Sequence, residues 1–163
     1  MCFRSGNGRE QEPFRTPGVG DITDPMSALP TSLDSMEPQE DHVFSPHLFA
    51  SSAPFSHARR AARLWHLSGL IGQCPDTGAL VSEDPSAQLD RMFANLRILL
   101  ADLGLTASDL VKATVYLVDN ADVDLMNRKY AEEISTPYPA RVTVQAAALP
   151  AGARFQIDAV AEA

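Results

Sequence analysis

Apolar residues recur at helical spacing over one stretch of the chain and alternate with polar ones over several others. Leu89, Met92, Phe93, Leu96, Leu99, Leu100 and Leu103 share one face of a 3.6-residue period. Asp84 ahead of them suits an N-cap, Pro85 suits the first helical position, and Gly104 stands where a C-cap glycine belongs. A second, shorter stripe of Val123, Met126, Tyr130 and Ile134 predicts another helix, capped by Asp122, with Asn127 beside the stripe. Between the two helices, Thr106 to Asp109 reads as a short capped turn. Val111 to Val118 is rich in β-branched residues and reads as a strand, with Lys112, Thr114 and Tyr116 on one face. Arg154 to Ala161 alternates cleanly: Phe155, Ile157 and Ala159 on one face, Gln156 and Asp158 on the other.

Punctuation residues place the remaining elements. Arg63 to Ile71 is an apolar run broken by Gly69, which predicts a strand with a bulge or a close backbone approach. Cys74 to Gly78 is a turn, and Ala79 to Val81 a short returning strand. Pro137 and Pro139 end the second helix and force extended chain into Arg141. Behind Arg141, Val142 and Val144 are expected to face a core while Arg141 and Thr143 share the opposite face. Leu149 to Gly152 turns the chain into the last strand. The order is ββαβαββ, an α+β arrangement with two helices covering one face of a mostly antiparallel or mixed sheet. Trp65, Leu67 and Tyr116 are expected to make the other face partly apolar, which favours a homo-oligomer closing over it.

Composition narrows the function classes. The chain has 163 residues, 45% of them hydrophobic, which suits one globular domain with a core. Residues 1–46 hold six of the twelve prolines and four of the nine glycines and show no sustained period. They are expected to form a disordered or loosely docked extension, with the folded domain over 47–163. The extension is acidic and has no apolar core segment, so it fits neither a secretory signal nor a transit peptide, and a cytoplasmic location is expected. A net charge of −8 leaves no basic footprint for nucleic acid. No apolar run is long enough to span a bilayer. His42, His47, His57 and His66 do not repeat at ligand spacing, so no metal site is expected, and Cys2 with Cys74 does not read as a disulfide framework.

Arg141 is the candidate for chemistry. A guanidinium fixed at a strand mouth is a fork of donors matched to a carboxylate or phosphate. The plain alternative is an arginine in a structural ion pair.

The residues in order carry a resemblance. Ala53-Pro-Phe-Ser-His57, Leu67-Ser-Gly-Leu-Ile71, Pro75-Asp-Thr-Gly78, Gln88, Asn95-Leu96, Leu103-Gly104, Val111 to Val115, Asn127 with Tyr130, Pro139-Ala-Arg141 and Leu149-Pro150 leading into Phe155 to Ala161 resemble the RidA/YjgF family. This family is also called L-PSP endoribonuclease-like. The resemblance covers about residues 48 to 163. It implies a chorismate-mutase-like fold, a homotrimer whose sheets form a central barrel, and sites in the clefts between subunits. It further implies hydrolysis of small reactive enamine or imine carboxylates, such as 2-aminoacrylate, to 2-oxo acids and ammonia, with no metal or organic cofactor. Arg141 would then anchor the substrate carboxylate, and Ser68, Gly69, Asn127 and Thr143 match other pocket positions. Two positions depart from the family pattern. The pocket tyrosine is Phe55, which lacks the hydroxyl, and the glutamate that serves the water is Gln156, which can orient water but cannot take its proton. The cysteine that usually follows the arginine by two residues is Thr143. Three readings stand: an imine/enamine deaminase, a non-catalytic or specialised binder of small carboxylate metabolites at the same cleft, and an endoribonuclease, which the acidic charge opposes.

Overall fold

A computed structural model of the chain describes residues 41–163. Most of the expected extension therefore lies outside the described residues. Its last part, His42–Val43, forms a two-residue strand, β1, paired antiparallel with the next strand. That next strand, β2, is Ala58–Ala61, and it turns tightly into β3, Leu64–Ile71. Helix α1, Pro85–Asp102, follows, then β4, Leu110–Leu117, helix α2, Val123–Glu133, β5, Ala140–Gln145, and β6, Phe155–Glu162. The six strands form one mixed sheet in the order β1-β2-β3-β6-β4-β5. Only β4 and β5 run parallel, with α2 as their crossover; every other pairing is antiparallel.

The core is the layer between the helices and one sheet face. Leu89, Met92, Phe93, Leu96, Leu99 and Leu100 of α1 and Met126 and Tyr130 of α2 pack against Val115, Leu117, Phe155 and Ile157. The predicted ends of α1 are both present. Asp84 accepts the Ala87 N–H at 2.9 Å, and Pro85 opens the helix. At the other end Gly104 sits at φ +71, with Gly104 N–H to Ala101 O and Leu105 N–H to Leu100 O, the paired bonds of a Schellman motif. Thr106 and Asp109 form the expected capping box.

Four expectations need correction. Ala79–Val81 is not a strand; one isolated bridge, Gln73 to Leu80, is all it makes. The first hairpin is β2–β3 instead, and its turn carries Ala62 at φ +54. Alanine in that conformation is uncommon, so no glycine or asparagine advertised the turn. Trp65 and Leu67 point into the core and not onto the open sheet face. Val142 and Val144 are the apolar residues exposed on the open face, because β5 is an edge strand aligned with Thr114 and Tyr116 there. Asp122 makes no capping bond; its carboxylate accepts the Arg154 Nε–H at 3.0 Å.

Candidate functional site

Arg141 opens β5 opposite Ala113, a fully buried residue of β4, so its side chain leaves the sheet on the helix side. There it meets one face of α2. The guanidinium carbon lies 4.7 Å from the centre of the Tyr130 ring, a cation–π distance. Its Nη2 donates to Asn127 Oδ1 at 2.7 Å, and its Nη1 contacts the Met126 sulfur at 3.8 Å. No described aspartate or glutamate pairs with it. The structural ion pair is therefore absent among the described residues. Arg141, Asn127, Tyr130, Tyr138 and Pro139 line a hollow of about 260 Å³. Burial pushes the Tyr130 phenol pKa up, and the Arg141 charge opposes that. The Tyr130 hydroxyl itself is buried without a hydrogen-bond partner among the described residues.

A second hollow, of about 330 Å³, lies elsewhere on the chain. Gly69, Gln156 and Phe55 border it. The β3–β6 register shifts between Leu67 and Leu70, as the glycine predicted. The reason for the glycine is the close approach of Gln156: a Cβ at Gly69 would stand 2.7 Å from the Gln156 amide carbon. The opposite wall is the irregular segment from Leu48 to His57. Phe49 anchors that segment, its ring lying where a Cβ on Gly78 would come within 2.8 Å. Phe55 packs edge-on against His57 at 5.6 Å.

The polar side chains around this second hollow are nearly all committed. His57 is buried, and its Nδ1 accepts the Ser45 N–H at 3.0 Å. Burial lowers the His57 pKa, opposed by a hydrogen bond with the Phe49 backbone and by the Asp102 charge. Asn95 donates to Ile71 O at 3.0 Å and Gln73 O at 2.9 Å, and its oxygen accepts from Arg91. Ser51 Oγ accepts the Ala53 N–H, and Gln73 donates to Gly78 O. Gln156 alone offers an amide without a partner among the described residues. Asp158, two residues along β6, accepts the Tyr116 hydroxyl at 2.9 Å on the open face.

The seven expected site residues thus divide. Arg141 and Asn127 meet at the first hollow; Phe55, Gly69 and Gln156 meet at the second. Thr143 shares the strand face of Arg141 and is exposed, bordering neither hollow. Ser68 is bound to backbone, its hydroxyl donating to Ser56 O at 2.6 Å. In the sheet, β5 and β6 lie on opposite sides of β4, roughly 10 Å apart at the usual strand spacing. Arg141 faces the helices, whereas Gln156 alternates with core-facing Phe155 and Ile157 and faces away. One small molecule cannot touch both within a single chain. Residue patterning missed Tyr130 as the ring under the guanidinium, although its spacing of three from Asn127 on one helix face was a usable signal. It also missed Leu48 and Phe49, which sit in a segment with no period to read.

Known proteins place this arrangement. Residues 46–163 match the family model described as Endoribonuclease L-PSP. The chain is 36% identical over 137 residues to Reactive Intermediate Deaminase A, chloroplastic, of Arabidopsis thaliana, covering 84% of this chain and 72% of the relative. It is 36% identical over 108 residues to the 2-iminobutanoate/2-iminopropanoate deaminase of Homo sapiens, covering 66% of this chain and 79% of that one. In three dimensions it resembles the crystal structure of RidA from an Antarctic Psychrobacter, with a TM-score of 0.71 and 30% identity over 77% of this chain and all of that one. Among the described residues no helix is long and apolar enough to cross a membrane. With a family match over its whole described domain and relatives of this likeness, the chain belongs to the RidA/YjgF, or L-PSP endoribonuclease-like, family.

Proposed function

We propose that the protein hydrolyses small reactive imine or enamine carboxylates to 2-oxo acids and ammonia. The observation that carries this reading is Arg141: a guanidinium held by Tyr130 and Asn127 at the wall of a hollow, with no acidic partner among the described residues. A cation so placed is completed by a ligand carboxylate, which a fork of two N–H donors grips in one orientation. The enamine first tautomerises to the imine. The oxygen of a water molecule then bonds to the imine carbon, the carbon–nitrogen bond breaks, and the water's protons leave with ammonia. Nothing is oxidised or reduced. Gln156 would orient that water through its unpartnered amide, so the rate rests on positioning and not on proton abstraction.

Because Arg141 and Gln156 face opposite sides of the sheet, the reading requires two copies of the chain, the arginine half of one meeting the glutamine half of the next in a homotrimer. The test is an assay of ammonia release from imines generated in situ by an amino-acid oxidase. Arg141→Ala is expected to lose at least about 100-fold in kcat/KM, the loss of a charge-assisted pair. Mixed with Gln156→Ala subunits in equal amounts, it is expected to recover about one quarter of wild-type activity, one half times one half, as intact sites form between unlike subunits. No recovery would place the whole site in one chain, and undiminished activity of Arg141→Ala alone would remove the arginine from the mechanism.

Gln156 favours a second reading, a non-catalytic binder of small carboxylates at the same cleft, since among the described residues no carboxylate borders the hollow it lines. Gln156→Glu separates the two. A gain in turnover of about 10-fold or more is expected where the missing base limits the rate. Ligand binding by calorimetry in both forms, with turnover in neither, would establish the binder.

A further inference from the structure

The hollow beside Gln156 has a chemistry of its own. Leu48, Phe49, Ala53, Phe55, Leu70 and Ile71 supply its apolar wall. Among the described residues no lysine, arginine, aspartate or glutamate borders it. Its one ionisable side chain, His57, is buried and has Nδ1 occupied by the Ser45 N–H. Asn95 donates to Ile71 O and Gln73 O and accepts from Arg91, the Gln73 amide nitrogen donates to Gly78 O, and Ser51 Oγ accepts the Ala53 N–H. A charged group placed here would lose its hydration and meet only neutral amide and hydroxyl groups in return. The size is also informative. A closed apolar cavity of about 150 Å³ takes up benzene. At about 330 Å³ this hollow is roughly twice that, and Gln156 is part of its lining. A methyl group would leave most of it filled with poorly bonded water.

We infer that this hollow is the side-chain pocket of the substrate, and that the protein prefers imino acids with branched aliphatic or aromatic side chains over those with a methyl or methylene group. The inference rests on the deaminase reading above, since it is Arg141 of a neighbouring copy that holds the carboxylate. Gln156 then stands at the junction between the apolar side chain and the reacting carbon. Substitution of Phe55 for the family's tyrosine acts in the same direction: it removes a hydroxyl from the pocket edge and keeps the ring.

The experiment compares kcat/KM for imines formed in situ from alanine, leucine and phenylalanine. The leucine- and phenylalanine-derived imines are expected to exceed the alanine-derived one by at least about 10-fold, the discrimination a hydrophobic pocket gives for a few carbons. Ala53 is exposed on the irregular segment, so Ala53→Phe fills the hollow without disturbing the core. That variant is expected to cut the large-to-small ratio at least about fivefold. Equal or faster hydrolysis of the alanine-derived imine by the wild type would overturn the side-chain preference and leave the deaminase reading standing. Hydrolysis of none would overturn the deaminase reading instead. Calorimetry with pyruvate, 4-methyl-2-oxopentanoate and phenylpyruvate then decides the pocket separately: about 10-fold tighter binding of the larger two supports the preference, and equal binding removes it.

Discussion

A methyl group added at Gly69 and one added at Gly72 meet different neighbours. At Gly69 the nearest atoms belong to the end of the Gln156 side chain, which can swing away. At Gly72 they are the Gln88 carbonyl oxygen at 2.6 Å and its Cα at 2.8 Å, parts of a helix backbone that cannot. Gly72→Ala is therefore expected to destabilise the fold by about 2 kcal/mol, the scale of overpacking a rigid site. Gly69→Ala is expected to cost less than about 1 kcal/mol yet, under the proposed mechanism, to lower kcat/KM about 10-fold by displacing the amide proposed to orient water. Thermal melting and an imine assay on both variants check the pair. A large melting loss at Gly69, or none at Gly72, would show that the two contacts are not as the geometry describes.

At the scale of elements, buried amides join α1 to the chain leaving β3. Asn95 reaches from the helix to the carbonyls of Ile71 and Gln73, and Gln88 accepts the Arg154 N–H at 2.9 Å while donating to Ser82 O at 2.8 Å. These bonds satisfy backbone groups that regular structure does not reach. They also fix the segment that borders the second hollow. Asn95→Leu keeps the bulk but leaves the Gln73 carbonyl unpaired, while Ile71 O keeps its bond from the Gln73 N–H, and is expected to cost about 2 kcal/mol, measured as a lower urea midpoint at unchanged slope. A neutral result would mean that water replaces the amide without loss.

At the scale of the whole molecule, the open sheet face and the exposed edge strand β5 carry Val142 and Val144 outward, and the two hollows share no lining residue. Under the proposed reading, which puts half of a site on each side of one sheet, another copy and not a local rearrangement would complete it. The folded state as a whole also has a pH signature. Burial depresses the His57 pKa, so the unfolded chain takes up that proton more readily than the folded one. The stability that neutral His57 contributes is present above about pH 6.5 and is lost as pH falls through its lower folded value. Unfolding free energy is expected to fall between pH 7.5 and 5.5 by urea titration, and His57→Gln is expected to flatten that part of the fall. An unchanged slope in the variant would assign it to other groups. Among the described residues Asp102 is the charge that acts on His57, and it opposes the shift.

Local chemistry in the chain was enough for α1 with both its caps, the capping box at Thr106, the alternation of β6 and the close approach at Gly69, because each depends on residues a few positions apart. The order of short motifs was enough for the family and for Arg141 with Asn127, which sit on neighbouring elements joined by a proline-stiffened turn. Tertiary structure alone decided the rest. Which face Trp65 and Leu67 take depends on how the strand is laid against the helices, not on its own alternation. Asp122 left its capping role because Arg154, far along the chain, arrived beside it. Valines 142 and 144 face outward because β5 ended at the sheet edge. The parting of Arg141 from Gln156 follows from the same fact: a sheet sends alternate side chains to opposite faces, and only the pairing order of its strands says which residues end on which side.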